Sequence, residues 1–179
     1  MKVFKITTIF MILSFVWVLS CATGQTTQQT EQPKTDTTAQ ERNLRPFEVG
    51  KDLGFVYAPY GKGWNYKDVR LDSADFNKWY NQNKDRFMQV VNNLGDNLVL
   101  EIVGHTDESG PREAQPELGK KGNVWYSTQR AQRVYDALVK AGISANKLKV
   151  RGAAEDELIP GIDPYDQRHR RVTFRVVNK

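Results

Sequence analysis

The chain has 179 residues, of which 39% are hydrophobic, and a formal net charge of +5. This length suits one globular domain with accessory segments, and so small a charge, spread along the chain, does not indicate nucleic-acid binding. The single cysteine, Cys21, excludes an intramolecular disulfide. The two histidines show no ligand spacing, so the sequence predicts neither a metal site nor a cofactor.

The first twenty residues have the pattern of an export signal. Lys2 and Lys5 form a basic start, and residues 6–20 are mostly apolar and end in the small residue Ser20. That apolar run is shorter than the ~20 residues that a transmembrane helix needs. We therefore interpret residues 1–20 as a signal peptide, whose removal lowers the net charge to +3.

Cys21 follows this segment directly. A cysteine after a small residue at the end of an apolar run resembles the bacterial lipobox, which implies diacylation of the Cys21 thiol and cleavage before it. Each buried CH₂ group contributes about 0.8 kcal/mol, so two or more chains anchor a protein stably. Ala22 follows instead of Asp. By resemblance to other bacterial lipoproteins, this favours the outer membrane. An ordinary signal peptide with an incidental cysteine is the alternative.

Residues 22–45 are rich in threonine and glutamine and contain almost no large apolar side chain. Such a segment cannot bury enough surface to fold, so residues 21–45 are predicted to be the lipidated cysteine and a flexible linker. A coil of this length reaches about 25–30 Å. The folded domain is predicted to span residues 46–179.

Apolar periodicity predicts six elements of secondary structure. In chain order they are a strand at 54–60, a helix at 73–94, a strand at 97–103, a helix at 123–141, a strand at 147–151 and a strand at 171–177. Pro59 weakens the first strand, while Gly95 and Gly142 are placed to end the helices. The aromatic stripe of the first helix is interpreted as core. The order β-α-β-α-β-β predicts an α+β sandwich, with two helices packed on one face of a small mixed sheet.

Polar residues that a hydrophobic core does not require cluster at two places in the sequence. Residues 104–107 (Gly-His-Thr-Asp) end one strand, and Asn123, Ser127 and Arg130 share one face at the start of the second helix. A helix N-terminus also presents free N–H groups, which suits a carboxylate. Arg130 can bind a carboxylate and Asp107 an ammonium, so the two fit a zwitterion. Spacing alone favours the alternatives that Asp107 and Arg130 pair with each other or are solvated.

Three motifs occur in order within residues 98–177: LVLEIVGHTD, NVWYSTQRAQRVYDAL and RRVTF. They resemble the Gly-His-Thr-Asp strand, the N-x-x-L-S-x-x-R-A-x-x-V-x-x-x-L helix and the R-R-V-x-F strand of the OmpA-like domain. This module is shared by OmpA, the Pal lipoproteins and the MotB stator proteins. Tyr126 alone replaces a motif residue. The resemblance implies the same two-layer β/α sandwich.

The resemblance also implies a ligand. In this family the motif aspartate and arginine clamp the diamino acid of the peptidoglycan stem peptide, which implies that role for Asp107 and Arg130. Asn123 matches an asparagine that lines the pocket. Thr106 and one arginine of the Arg170–Arg171 pair are added on looser matches, and Arg170 is the one assigned to ligand binding.

Three features depart from the family pattern. The loop at 108–122 is longer, His169 replaces an asparagine, and residues 56–60 lack a Phe-Asp pattern. The first two bear on details of the pocket, and the third on the contribution of the first strand.

The resemblance therefore predicts a non-enzymatic lipoprotein of the outer membrane, anchored at Cys21, that links the membrane to peptidoglycan. The periplasmic face is favoured and surface exposure is the alternative. A surface adhesin that binds host or matrix molecules is the alternative function, and envelope or host proteins are candidate partners.

Two other readings are set aside. His105 and Asp107 with Ser109 or Ser127 suggest a hydrolase, but the chain has no nucleophile elbow and no phosphate-binding loop. A basic cluster near the end of the chain is interpreted as a solvated strand edge rather than a nucleic-acid site. Its members are Arg168, Arg170, Arg171 and Arg175.

Overall fold

Four strands form one mixed sheet in the computed structural model, which describes residues 48–179. The strands are β1 (Asp52–Tyr57), β2 (Leu98–Gly104), β3 (Leu148–Gly152) and β4 (Val172–Asn178). The sheet order is β1-β4-β2-β3, with β2 and β3 parallel and the other pairs antiparallel. Helices α1 (Ser73–Asn92) and α2 (Gly122–Lys140) complete the predicted order β-α-β-α-β-β. The predicted fold class is confirmed.

The ends of the elements follow from individual residues. β1 stops before Pro59, which cannot donate to a strand ladder and opens a short 3₁₀ turn instead. α1 begins after Asp72, whose carboxylate accepts the N–H groups of Ala74 and Asp75. The prediction that Gly95 ends α1 is wrong, because Asn93 caps that helix and its amide donates to the Gln89 carbonyl over 2.7 Å.

Aromatic side chains dominate the core between α1 and the sheet. Phe87 of α1 lies 5.3 Å from both Phe55 and Phe174, measured between ring centroids, and Trp79 stacks on Phe174 at 5.6 Å. The three phenylalanines are buried and Trp79 is partly buried. Such tilted and edge-to-face contacts stabilise a core beyond the area they bury. The prediction that the aromatic stripe of α1 is core is therefore confirmed.

α2 approaches the sheet very closely, and two glycines permit it. A Cβ atom on Gly104 would lie 1.9 Å from the carbonyl oxygen of Ser127, and one on Gly152 would lie 2.2 Å from Oγ1 of Thr128. Gly104 ends β2 and Gly152 ends β3, so the carboxyl ends of this parallel pair meet the first half of α2. This approach brings the residues after β2 next to those of α2.

The predicted signal peptide, Cys21 and the linker lie outside the described residues. Within residues 48–179, none of the helices combines the length and the apolar character that crossing a bilayer requires.

Candidate ligand-binding site

The five predicted ligand-binding residues come from three segments and meet at the carboxyl end of β2. Thr106 and Asp107 follow β2, Asn123 and Arg130 belong to α2, and Arg170 precedes β4. All five are buried, with exposed fractions of 9% or less. The amide of Asn123 donates to the backbone oxygen of Asp107 over 3.2 Å, which joins the start of α2 to the end of β2. The structure therefore assembles the residues that the motifs single out.

Asp107 pairs with Arg170 and not with Arg130. Its Oδ2 accepts hydrogen bonds from Nη1 of Arg170 and, over 2.9 Å, from the hydroxyl of Ser109. Oδ1 accepts no hydrogen bond from any residue in 48–179. Of the alternatives left by the spacing, a direct Asp107–Arg130 pair is therefore wrong. Asp107 keeps one oxygen for a further donor.

Arg130 is held entirely by neutral backbone carbonyls. Nε donates to Asp68 over 3.1 Å, Nη1 to His105 over 3.2 Å, and Nη2 to Asn65 over 3.5 Å. Burial lowers the pKa of Arg130 to about 10, and the nearby charge of Arg170 adds to this effect. The guanidinium is thus still charged at neutral pH, and no carboxylate among the described residues pairs with it.

The long loop at 108–122 caps α2. The N–H of Asn123 donates to the Pro111 carbonyl over 2.8 Å, and the N–H of Val124 donates to the Arg112 carbonyl over 3.1 Å. Arg112 in this loop forms a bidentate salt bridge with Asp156, in which Nη1 donates to Oδ1 over 2.5 Å and Nη2 donates to Oδ2 over 2.9 Å. The prediction that free N–H groups of α2 await a ligand is wrong at these two positions. Two of the N–H groups at the start of α2 are therefore already occupied by carbonyls of this loop.

Comparison with known proteins identifies the family of this chain. The model of the OmpA family matches residues 70–171, more than half of the chain. The protein belongs to the OmpA family. No curated protein sequence matches it.

Solved structures match this OmpA-family chain at low sequence identity. The periplasmic domain of Helicobacter pylori MotB matches with a TM-score of 0.50 and 14% identity, over 70% of this chain and 81% of that one. The OmpA-like domain of FopA1 from Francisella tularensis has a TM-score of 0.44, 20% identity, and 65% and 70% coverage. The peptidoglycan-associated lipoprotein from Burkholderia pseudomallei has a TM-score of 0.43, 17% identity, and 63% and 86% coverage.

The residues of the rival hydrolase reading have structural partners in this OmpA-family domain. The hydroxyl of Ser127 donates to the Val124 carbonyl over 2.9 Å and accepts the N–H of Ala154 over 3.1 Å. Ala154 has a left-handed conformation, with φ of 49°, and its carbonyl also accepts the N–H of Thr106 over 2.8 Å. Nε2 of His105 lies 2.8 Å from the hydroxyl of Thr173. Ser127 and His105 therefore support the fold and do not form a nucleophile–base pair with each other.

His169, the departure before the two arginines, organises the loop that precedes β4. Its Nδ1 accepts the N–H of Ile159 over 3.1 Å, and its Nε2 lies 2.8 Å from the Asp163 carbonyl. Because a carbonyl can only accept, Nε2 carries the hydrogen. His169 is fully buried and does not reach the five-residue site through any of these bonds.

The interpretation of the basic cluster as a solvated strand edge is wrong for three of its four arginines, Arg170, Arg171 and Arg175. β4 lies between β1 and β2, so it is an interior strand. Arg175 on this strand donates to the buried carboxylate of Glu101 over 2.8 Å, and Arg171 donates to the Glu157 carbonyl over 3.0 Å. Arg170 pairs with the buried Asp107, whereas Arg168, which precedes β4, is exposed and pairs with Asp166.

Sequence reasoning missed the segment between β1 and α1. Residues 61–72 place the carbonyls of Trp64, Asn65 and Asp68 on the two site arginines. It also missed Glu155, whose Oε2 accepts the amide of Asn123 over 3.1 Å. Trp64, which follows Gly61 and Gly63, is the one residue that could have indicated this segment, because tryptophan side chains are mostly buried even in loops.

His105 is expected to make the domain sensitive to acid. Burial, followed by the charges of Arg171, Arg151 and Arg175, lowers the pKa of His105 to about 3. The unfolded chain has the ordinary value near 6.5 and so binds more protons between pH 6.5 and 3. Stability therefore falls as the pH decreases through this window. Between pH 7 and 4, the free energy of unfolding should drop about 2–3 kcal/mol more in the natural protein than in His105→Gln, measured by urea titration. Equal drops in the two proteins would contradict this assignment.

Proposed function

We propose that this protein binds peptidoglycan without catalysis, by holding the zwitterionic end of a stem-peptide diamino acid between Asp107 and the two site arginines. The observation that carries the proposal is a buried carboxylate with a free oxygen beside a buried, charged guanidinium that lacks an acidic partner among residues 48–179. The ammonium group of the ligand donates a hydrogen bond to the free oxygen of Asp107, and the carboxylate of the ligand accepts hydrogen bonds from the guanidinium of Arg130.

The charge of the site favours such a ligand. Asp107 is hydrogen-bonded to one arginine, Arg170. Arg130 has no hydrogen bond to a carboxylate among residues 48–179, although the charges of Asp107 and Asp68 act on it from nearby. A carboxylate that replaces a neutral carbonyl on Arg130 converts an ordinary hydrogen bond into a charge-assisted one. A simple amine offers nothing to Arg130, and a simple carboxylate meets repulsion from Asp107. The zwitterion satisfies both groups at once.

Binding exchanges existing contacts, because the site residues are already buried. Asp107 is 2% exposed and Arg130 is 1% exposed. The bond from Nη2 of Arg130 to the Asn65 carbonyl is the longest that this guanidinium makes, at 3.5 Å. It is therefore the weakest and the first that a ligand carboxylate would replace. Tyr66, the next residue, is 54% exposed, so this part of the wall meets solvent.

Sedimentation with purified cell-wall sacculi tests this function. The full-length protein in mild detergent is expected to pellet with sacculi and to be released by the free diamino acid taken from the same sacculi. Protein that stays in the supernatant at every sacculus concentration would refute the function. Pelleting that the free diamino acid does not reverse would place recognition elsewhere.

We further propose that Cys21 carries the lipid that holds the protein at the outer membrane, on the periplasmic side where the wall lies. The segment from Cys21 to residue 45 then spans the gap between anchor and domain. Lipid, linker and site together make a non-covalent link between membrane and wall.

Metabolic labelling with a fatty acid tests the anchor. Cys21→Ser is expected to abolish the label on the protein and to release it from the membrane fraction, because the chain has no second thiol. Ser20→Ala, which keeps a small residue before the cysteine, should be labelled normally. Full labelling of Cys21→Ser would exclude this attachment point.

A further inference from the structure

One short segment holds both arginines of the site. The Trp64 segment comprises residues 61–72, between the 3₁₀ turn after β1 and helix α1. The backbone oxygen of Trp64 accepts Nε of Arg170 over 2.6 Å, and the Trp64 N–H donates to the Arg170 carbonyl over 3.0 Å. The carbonyls of Asn65 and Asp68 accept two donors of Arg130.

The ring of Trp64 fixes this segment in place. It is 2% exposed and packs edge-on against Tyr57, with ring centroids 5.5 Å apart. Its Nε1 donates to the Arg70 carbonyl over 2.8 Å, which closes the segment on itself. The guanidinium carbon of Arg130 lies 5.7 Å from the ring centroid, within the range of a cation–π contact. A single side chain thus contacts β1, the far end of its own segment and Arg130.

A second anchor lies beside it. A Cβ atom on Gly63 would lie 2.3 Å from the Gln167 carbonyl oxygen, and Gly63 has φ of 94°. The amide of Gln167 donates to the Gly63 carbonyl over 2.7 Å. The segment therefore meets the loop before β4 at backbone distance, next to Arg170.

The two guanidiniums need such support because they carry like charges in a buried place. The charge of Arg170 acts on Arg130, and of these two arginines Arg170 alone forms a salt bridge among residues 48–179. Without fixed acceptors, two long side chains of the same charge separate and lose their common orientation. Because folding already orders the side chains of Arg130 and Arg170, less side-chain conformational entropy is lost when a ligand binds.

We propose that Trp64 is a positioning residue of the ligand site, which aims the remaining donors of Arg130 and Arg170 at the ligand carboxylate. This role rests on the proposed function, although its effect on the two arginines can be measured without a ligand. It assigns the segment from residue 61 to residue 72 to the wall of the site.

Arginine Nε–H signals in nitrogen-15 NMR spectra of the full-length protein provide that measurement. Arg130 and Arg170 should give slowly exchanging signals, because both Nε atoms are hydrogen-bonded. Trp64→Leu should lose both signals, and Trp64→Phe, which keeps an aromatic ring, should retain them in part. The signal of Arg175, bonded to Glu101 on the sheet, is the internal control and should not change. Retention of both site signals in Trp64→Leu would overturn the proposal.

Sacculus titration separates positioning from a general loss of stability. Trp64→Leu is expected to weaken binding about tenfold or more. Leu148→Ala removes buried side-chain volume at the start of β3, away from the site, and should lower the melting temperature while binding stays unchanged. Equal binding by Trp64→Leu and the natural protein would refute the positioning role. If the natural protein does not bind sacculi, the proposed function fails, and the NMR signals still decide whether Trp64 fixes the arginines.

Discussion

Replacing Asp107 with asparagine is expected to abolish the sedimentation of the protein with sacculi. Asparagine has the same shape and can still accept the Ser109 hydroxyl, so the change removes mainly the charge. The ligand ammonium then meets a neutral amide, and Arg170 loses its acidic partner. Removing one member of a buried charged contact costs about 2–5 kcal/mol, equivalent to at least about 30-fold in affinity.

Asp166→Asn is the control for nonspecific effects of removing a negative charge. Asp166 also pairs with an arginine, since its Oδ2 accepts Nη2 of Arg168 over 2.8 Å, but the Arg168 side chain is exposed and that of Asp166 is partly exposed. Asp166→Asn should therefore sediment like the natural protein. Arg130→Lys keeps the positive charge and loses the planar fork, so it should bind weakly. Normal sedimentation of Asp107→Asn would show that the Asp107 carboxylate does not take part in ligand binding.

The motifs single out residues that the fold brings together, but they do not determine how the charges of those residues pair. Asp107 and Arg130 lie on neighbouring elements, which suggests a direct pair. Arg170 takes the carboxylate because the loop before β4 returns to the carboxyl end of β2. That proximity depends on the order of strands in the sheet. Strand order is a long-range property, and no local periodicity encodes it.

The same limit explains the two errors about exposure. Arg175 looks like a surface residue because the alternation along β4 does not reveal whether the strand is interior or at an edge, yet it pairs with the buried Glu101. The N–H groups of Asn123 and Val124 look free because helix periodicity cannot show that loop carbonyls reach them. In both cases a group that the local pattern leaves open finds its partner in a distant segment. Buried polar groups nearly always do so.

The Trp64 segment has no periodic pattern to read. Its carbonyls, rather than its side chains, hold Arg130, and a carbonyl is present at every residue. The packing of Trp64 against Tyr57 and the contact of Gly63 with Gln167 determine which carbonyls face the site. Elements with strong periodicity are thus predictable within a residue or two, whereas this wall of the site requires coordinates.

Replacing Gly104 with alanine is expected to destabilise the fold strongly. The new Cβ atom would lie 1.9 Å from the carbonyl oxygen of Ser127 and 2.7 Å from its carbonyl carbon. These are backbone atoms of α2, so no side-chain rotation relieves the clash, and the helix must move off the sheet. Overpacking of this kind costs about 3 kcal/mol or more, against a total stability of about 5–15 kcal/mol.

Thermal unfolding measures this cost, and Gly95→Ala provides the control. A Cβ atom on Gly95 meets nothing within 4 Å, so that variant should unfold within a few degrees of the natural protein. Gly104→Ala should unfold at least about 10 °C lower. A normal melting temperature for Gly104→Ala would mean that α2 does not lie against the end of β2. The displacement also carries Arg130 and Asn123 away from Asp107, so sacculus binding should weaken even at temperatures where Gly104→Ala stays folded. The glycine that begins the Gly-His-Thr-Asp motif therefore serves the site by setting the distance between the carboxylate and the guanidinium, although it bears no functional group.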